Sequence, residues 1–159
     1  MDTVVILNNI RSMENVGSIF RTCDAFGVKK LYLVGITPAP VDRFGRENSR
    51  LSKASLGAEK FVEWERVENL KDPIEKLKED GFKIVAVEQD KRAVDYRSLK
   101  TSKLLASSSK LALVFGNEVD GVSREDLDLC DMVVEIPMKG KKESLNVAVS
   151  VGIILSNIL

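Results

Sequence analysis

Three segments of the 159-residue chain carry polar side chains whose types and spacing could do chemistry. Segment 8–21 contains three asparagines and ends in an arginine, whose planar guanidinium suits carboxylates and phosphates. Segment 116–123 is a turn with two glycines and two acidic residues, and segment 136–148 is a Lys/Gly loop that enters a helix. The chain has no histidine, so Ser-His-Asp triads, Cys-His pairs and imidazole metal ligands are excluded. A catalyst must therefore rely on carboxylates, Lys, Arg, Ser, Asn, backbone amides or a bound cofactor.

The arginine of the first segment is Arg21, which stands between the apolar residues Phe20 and Cys23. This setting predicts a partly buried guanidinium, and such a group needs an oxyanion partner. That partner is either a carboxylate of the chain, from Glu14 or Asp24, or a phosphate of a ligand. The residues of this segment leave both alternatives open.

The second segment follows an apolar run and opens a helix, as a phosphate-binding P-loop does. It lacks the lysine that such a loop needs after its second glycine, and Glu118 and Asp120 would repel a triphosphate. No Gly-x-Gly-x-x-Gly pattern occurs, so a Rossmann dinucleotide site is unsupported too. Two interpretations remain: a tight turn with a helix cap, and a ligand site at the carboxyl end of a strand.

The third segment brings Ser144 and Asn146 to the start of the last helix. Ser144 is a natural N-cap, which is its simplest role. An asparagine in the first turn is unusual, because its side chain competes with the helix backbone. We interpret the pair as a contact for a ligand or phosphate at the helix N-terminus.

The elements that must position these segments are short apolar strands alternating with helices. Predicted strands cover 3–7, 31–34, 60–63, 83–87, 111–115 and 132–136, and predicted helices cover 15–26, 48–56, 74–80, 123–126 and 144–159. We expect loops at 36–47 and 90–109. Continuous apolar strands indicate an α/β domain with a mostly parallel sheet and helices on both faces. The last helix is apolar on nearly all sides, which predicts that one side faces a second copy in a homodimer.

The formal net charge is zero, from 24 basic and 24 acidic residues, and at first argues against a nucleic-acid partner. The charges are unevenly distributed, however: residues 111–135 hold seven acidic residues and one basic residue. Arg43, Arg46 and Arg50 instead lie close together in a Gly/Pro-bearing region. A local basic surface for RNA is therefore compatible with the overall balance.

The composition also excludes several other classes of protein. Cys23 and Cys130 are too far apart in sequence to suggest a disulfide framework or a metal cluster. No apolar run approaches the roughly 18 residues of a membrane span, and the first residues do not resemble a signal peptide. We expect a single domain over residues 1–159, located in the cytoplasm, with no metal and no membrane partner.

In order and spacing, the three segments resemble the motifs of the SPOUT superfamily, specifically the TrmH (SpoU) family of RNA 2′-O-methyltransferases. The matching stretches read NNIRSxxNVGxIxRTxDA from Asn8, LVFGNEVxGV from Leu113 and IPMxGxxxSLNVAV from Ile136. The similarity extends over residues 3–155. It implies a SPOUT fold with a deep trefoil knot in the C-terminal half and S-adenosylmethionine as the cofactor. It also implies a homodimer with its active sites at the interface.

By this resemblance, the cofactor-binding positions are Val87, Glu88, Gly116, Asn117, Ile136, Met138 and Leu145. The catalytic positions are Arg21, Asn15, Glu118, Ser144 and Asn146. In the family, the arginine activates the ribose 2′-hydroxyl, either as the base itself or through an RNA phosphate. A guanidinium that stays protonated to about pH 12 makes the phosphate route chemically easier.

The RNA substrate is open between two classes, with tRNA favoured over ribosomal RNA. We expect no accessory RNA-binding domain, so the catalytic domain must read RNA with its own surface, at Arg11, Arg43, Arg46 and Arg50. A catalytically silent RNA-binding module with the same fold is the main alternative. A nucleotide-binding enzyme of flavodoxin or Rossmann type ranks lower, because its phosphate loops are missing.

Overall fold

The computed structural model describes all 159 residues and contains seven strands and six α-helices. The strands are β1 (Asp2–Asn8), β2 (Lys30–Val34), β3 (Glu63–Val67), β4 (Lys83–Val87), β5 (Val94–Asp95), β6 (Lys110–Phe115) and β7 (Met132–Glu135). The helices are α1 (Met13–Ala25), α2 (Ser49–Ser55), α3 (Lys71–Glu79), α4 (Lys103–Ala106), α5 (Arg124–Leu127) and α6 (Val147–Ile158). Two 3₁₀ helices, Ala58–Lys60 and Tyr96–Thr101, complete the chain.

All seven strands pair in parallel, in the order β3-β2-β1-β6-β4-β7-β5. Successive side chains of a strand point to opposite faces, so each central strand feeds two cores. In β1, Val5 and Leu7 join the core formed with α1, α2 and α6. Val4 and Ile6 join the opposite core, under α3 and α5. The predicted α/β fold with helices on both faces is confirmed.

Two sequence predictions about elements between α2 and β6 were wrong. The strand expected at 60–63 begins at Glu63, because the chain after α2 first turns through Gly57, at φ 89°, into the 3₁₀ helix. The segment 90–109 is not mostly loop but contains β5, the second 3₁₀ helix and α4. Polar caps explain the error: Asp95 and Ser102 each accept a backbone N–H at a helix start.

A parallel sheet places the carboxyl ends of its strands along one edge, where open α/β sheets bind ligands. The connections that follow β1, β2, β4, β6 and β7 therefore leave the sheet at this carboxyl edge. Three of them carry the polar segments singled out in the sequence. No helix is both long enough and apolar enough to span a bilayer.

Candidate active site

A cleft of about 340 Å³ opens at the carboxyl edge, between the connections that follow β4, β6 and β7. Its lining includes all seven residues expected to bind a cofactor: Val87, Glu88, Gly116, Asn117, Ile136, Met138 and Leu145. Glu118 and Ser144, two of the expected catalytic residues, also line it. Residues distant in sequence are thus brought into one concave site.

The floor of the cleft is a loop from Gly116 to Gly121 that folds back on itself. The two ends of the loop, Asn117 and Gly121, form an antiparallel bridge. The Asn117 side chain accepts the N–H groups of Val119 and Asp120 and donates to the carbonyl of Asn9 at 2.7 Å. The tight turn and the ligand site are therefore compatible interpretations of this segment.

Both glycines of this loop are required, Gly116 by close backbone approach and Gly121 by its positive φ and the adjacent Glu88 carboxylate. A Cβ on Gly116 would lie 2.4 Å from the carbonyl carbon of Gly121 and 2.6 Å from the nitrogen of Val122. Gly121 has φ +66°, and a Cβ there would lie 2.2 Å from Glu88 Oε2. The Glu88 carboxylate accepts the N–H groups of Val122 and Gln89 at 2.8 Å, so it holds the loop in place as well as lining the cleft.

Glu118 joins the second motif to the start of α1. Its carboxylate accepts the backbone N–H of Arg11 at 3.1 Å and that of Ser12 at 3.3 Å, and the Asn15 amide donates to it at 3.4 Å. Burial raises the pKa of Glu118, but these hydrogen bonds outweigh it and bring the pKa below its usual 4.5. The stabilisation is present above pH 4.5 and is lost as the pH falls through the folded-state pKa.

Asn146 joins the third motif to the first. Its Oδ1 accepts the N–H groups of Ala148 and Val149, which caps α6. The amide nitrogen is thereby left to donate to Asn15 Oδ1, at 3.0 Å. A directional hydrogen-bond chain therefore runs from the start of α6 through Asn15 to Glu118, and it contains one residue from each motif.

The expectation that Ser144 caps the last helix was wrong, because α6 begins at Val147 and Asn146 occupies the cap position. An asparagine at the N-cap keeps an extended backbone, here with ψ 135°, so it does not compete with the helix. Ser144 is exposed on the cleft wall.

Replacing Asn146 by alanine is expected to lower the free energy of unfolding by about 1 kcal/mol, since α6 loses its cap. Asn146→Asp keeps the cap acceptor but loses the donor to Asn15 Oδ1, so its stability should lie between that of wild type and that of Asn146→Ala. The control is Ser144→Ala, which should have no effect. Urea denaturation of wild type and the three variants measures the free energy of unfolding. A larger decrease in Ser144→Ala than in Asn146→Ala would contradict the cap assignment.

Arg21 lies outside the cleft and is exposed, so the expectation of partial burial was wrong. Phe20 and Cys23 share the buried stripe of α1, and a helix turns Arg21 about 100° away from Phe20. Of the two partners left open for Arg21, the carboxylate of the chain is absent: Arg21 makes no ion pair, and Glu14 is held by Arg50 at 2.7 Å. Its guanidinium is therefore free to meet a group from outside the protomer.

The four expected RNA-binding arginines differ in how available they are. Arg46 pairs with Asp42 at 2.7 Å and Arg50 pairs with Glu14 at the same distance, so each must exchange a carboxylate to bind phosphate. Arg43 and Arg11 are exposed and make no ion pair. Arg11 and Arg50 line a second depression, which also contains Asn15 and Glu118.

Several cleft residues were missed by the sequence reasoning. They are Gln89, Phe115, Glu135, Glu143 and Ser150. Phe115 and Glu135 end strands, and Gln89 follows one by two residues, a position that could have identified all three. No group of three His, Cys, Asp or Glu side chains has a geometry that could hold a metal ion.

Comparison with known proteins gives consistent matches over nearly the whole chain. The model of the SpoU rRNA methylase family matches residues 2–156. A protein of Staphylococcus haemolyticus assigned to the TrmH family of tRNA/rRNA methyltransferases is 37% identical over 98% of this chain and 57% of its own. The tRNA (guanosine(18)-2′-O)-methyltransferase of Aquifex aeolicus is 36% identical over 97% of this chain and 67% of its own.

Solved structures also match this chain over nearly its whole length. The AdoMet-bound rRNA methyltransferase of Sinorhizobium meliloti has a TM-score of 0.85 at 30% identity, over 99% of this chain and 55% of that one. The A. aeolicus TrmH/SpoU tRNA-modifying enzyme has a TM-score of 0.81 at 34% identity, over 99% and 73%. The chain spans a little over half the length of the staphylococcal relative and of the S. meliloti structure. On the family match and these similarities, the chain belongs to the SpoU (TrmH) methylase family.

Proposed function

We propose that the protein transfers a methyl group from S-adenosylmethionine to a ribose 2′-hydroxyl of RNA. The observation that carries this proposal is the cleft at the carboxyl edge, walled by the second and third motifs and tied to the first motif through Glu118, Asn15 and Asn146. Family membership and the AdoMet-bound S. meliloti relative support the same reaction.

The cleft residues fit this cofactor. Val87, Ile136 and Leu145 offer apolar surface for an adenine ring, and the carboxylates of Glu118 and Glu135 suit a cationic ligand. The Gly116–Gly121 loop forms a cradle that a Cβ at either end would disturb. When bound, S-adenosylmethionine supplies the electrophilic methyl group.

The chain's own task is to hold the ribose hydroxyl and to help remove its proton. Glu118 and Asn15 keep the start of α1 against the cleft wall. Arg21, one and a half turns further along α1, has a free guanidinium that can bind an RNA phosphate. We assign it to proton removal through that phosphate, and direct action of Arg21 as the base is the alternative.

The position of Arg21 favours a homodimer, because the cleft of one protomer does not contain its own Arg21. Helix α6 is not buried on all sides: Val149 remains 51% exposed, beside the partly exposed Ile153. Apolar surface on a helix next to the cleft suits contact with a second copy. We propose that a second copy covers this face and brings its Arg21 to the cleft.

The substrate favoured is tRNA, because a relative whose name specifies 2′-O-methylation, that of A. aeolicus, is a tRNA methyltransferase; ribosomal RNA, which the name of the S. meliloti structure gives, is the alternative. Mapping ribose methylation in total RNA from cells with and without the protein distinguishes them. A lost methyl group in tRNA supports the first, and one lost only from ribosomal RNA overturns it. The single-domain organisation, the knot and the cytoplasmic location stay predictions from the sequence.

Calorimetry with S-adenosylhomocysteine, the product form of the cofactor, tests the reaction class. Saturable binding with one site per chain is expected. Binding only of a nicotinamide or flavin nucleotide would overturn the proposal. Binding of S-adenosylhomocysteine without methylation of any RNA would favour a silent RNA-binding module instead.

Replacing Arg43, Arg46 and Arg50 together by alanine is expected to weaken RNA binding and to flatten its dependence on salt. Each lost phosphate contact lowers the slope of log K against log salt by about one. The matched control replaces Lys71, Lys76 and Lys78, exposed residues of α3 on the opposite face of the sheet. An unchanged slope in the arginine variant would place the RNA surface elsewhere.

A further inference from the structure

We infer that the loop from Val41 to Glu47 is a stacking platform for an unpaired base of the RNA substrate, with Phe44 as the stacking side chain. This inference rests on the proposed function and names a contact that recognises RNA away from the reacting ribose. The platform lies outside the cleft and in none of the three family motifs.

Phe44 presents its ring to solvent from a rigid loop. The ring is 68% exposed, although burial of an apolar ring stabilises a folded protein. The loop around it is held in one conformation: Asp42 Oδ1 accepts the N–H groups of Phe44 and Arg46, at 2.8 and 2.9 Å. Val41 and Glu47 form an antiparallel bridge across its base. An ordered loop that displays an apolar ring is preorganised to bind a flat partner.

Two arginine side chains lie close to the Phe44 ring. The guanidinium carbons of Arg43 and Arg46 lie 4.8 and 5.1 Å from its centroid. Arg46 is neutralised by Asp42, whereas Arg43 makes no ion pair. Arg66, also without an ion pair, lines an adjoining depression of about 310 Å³ together with Arg46. An aromatic ring beside an unpaired arginine, here Arg43, is a combination that binds single-stranded nucleic acid, through stacking on bases and contact with phosphates.

The platform and the cleft both lie at the carboxyl edge of the sheet. The loop follows β2, whose carboxyl end is at the edge where the cleft opens. In the sheet, β2 is two strands from β6, a separation of about 10 Å. The depression lined by Arg50, Asn15 and Glu118 adjoins the cleft through Glu118. The platform and the cleft therefore lie at the same edge of the sheet, and we expect one RNA strand to contact both.

Phe61 provides a matched control. Its ring is 79% exposed, slightly more than that of Phe44, but no cation lies over it. It follows the 3₁₀ helix at Ala58–Lys60, between α2 and β3. If removal of any exposed aromatic side chain weakened RNA binding, the loss of affinity would be the same at both positions. A loss of base stacking would weaken RNA binding only at Phe44.

The test measures the affinity of four proteins (wild type, Phe44→Leu, Phe44→Trp and Phe61→Leu) for an unstructured RNA of about 12 nucleotides, a length that such surfaces bind. Phe44→Leu is expected to weaken binding roughly tenfold, which is a typical loss for one stacked base. Phe44→Trp should bind within about twofold of wild type, because indole also stacks. Phe61→Leu should bind as wild type does.

A second probe separates stacking from other effects. An abasic RNA of the same length keeps the phosphates and riboses but has no bases, so Phe44→Leu should bind it as wild type does. Equal losses on both RNAs, or equal affinities of Phe44→Leu and Phe61→Leu for the intact RNA, would overturn the platform. A protein-docking role for Phe44 predicts no effect on either RNA and would also overturn it.

The experiments can overturn the stacking platform and the methyltransferase proposal independently of each other. Calorimetry with S-adenosylhomocysteine reports on the cleft and does not require Phe44. Normal binding of S-adenosylhomocysteine with no difference between the Phe44 and Phe61 variants would remove the platform only. A tenfold RNA defect in Phe44→Leu, in a protein that binds no S-adenosylhomocysteine, would keep the platform and overturn the methyltransferase proposal.

Discussion

Arg21→Ala is expected to reduce methyl transfer to RNA by at least about a hundredfold, the lower end of what a positioned proton-transfer group contributes. Affinity for S-adenosylmethionine should remain near that of wild type. The structure gives the reason for this separation: Arg21 is exposed, makes no ion pair and does not line the cleft. Its removal therefore leaves the fold and the cofactor residues undisturbed. Single-turnover methylation and calorimetry with S-adenosylhomocysteine measure the two effects.

Lys103→Ala is the control for Arg21→Ala. Lys103 is an exposed cation on α4, without an ion pair and outside both depressions near the cleft. Its removal should leave both measurements unchanged. Arg21→Lys keeps the charge but not the planar fork, so an intermediate rate is expected if Arg21 clamps a phosphate. A wild-type rate in Arg21→Ala would remove this residue from the mechanism.

The fold was predictable from the sequence because hydrophobic pattern determines it. Runs such as Val4–Leu7 and Leu111–Phe115 are apolar at every position and are short and flanked by polar residues or glycine, a pattern typical of strands covered on both faces. The resemblance assigned seven positions to the cofactor, and all seven line one cleft, because most of them lie at or just after the carboxyl end of a strand.

The sequence predictions that were wrong each have a specific physical cause, which the spacing of residues alone does not reveal. Ser144 and Asn146 are both good caps, and the choice between them depends on Asn15, which lies 131 positions earlier and accepts from Asn146. Arg21 was misplaced because sequence neighbours do not share a helix face. Arg46 and Arg50 are paired with carboxylates that the uneven charge distribution does not identify. The Arg50–Glu14 and Asn146–Asn15 contacts are tertiary and set by the fold, whereas Arg46–Asp42 is a local pair within one loop.

Gly116→Ala is expected to abolish cofactor binding, or to weaken it by at least about tenfold. The added Cβ would meet backbone atoms of Gly121 and Val122 at 2.4 and 2.6 Å, and backbone cannot move aside as a flexible side chain can. The loop must therefore shift away from its bridge, at a cost of about 1–3 kcal/mol. Calorimetry with S-adenosylhomocysteine measures the loss. Gly140→Ala is the control, because its Cβ would meet nothing within 4 Å.

Mixing the two variants tests how the site is assembled. If each active site combines the cleft of one subunit with Arg21 of its partner, a mixed dimer of Arg21→Ala and Gly116→Ala has one site with both parts intact. Methyl transfer should then reappear on mixing two inactive proteins. If Arg21 served the cleft of its own chain, every site in the mixed dimer would lack one part and activity would stay absent. Recovery is the expected result, because the cleft of a single protomer does not contain Arg21.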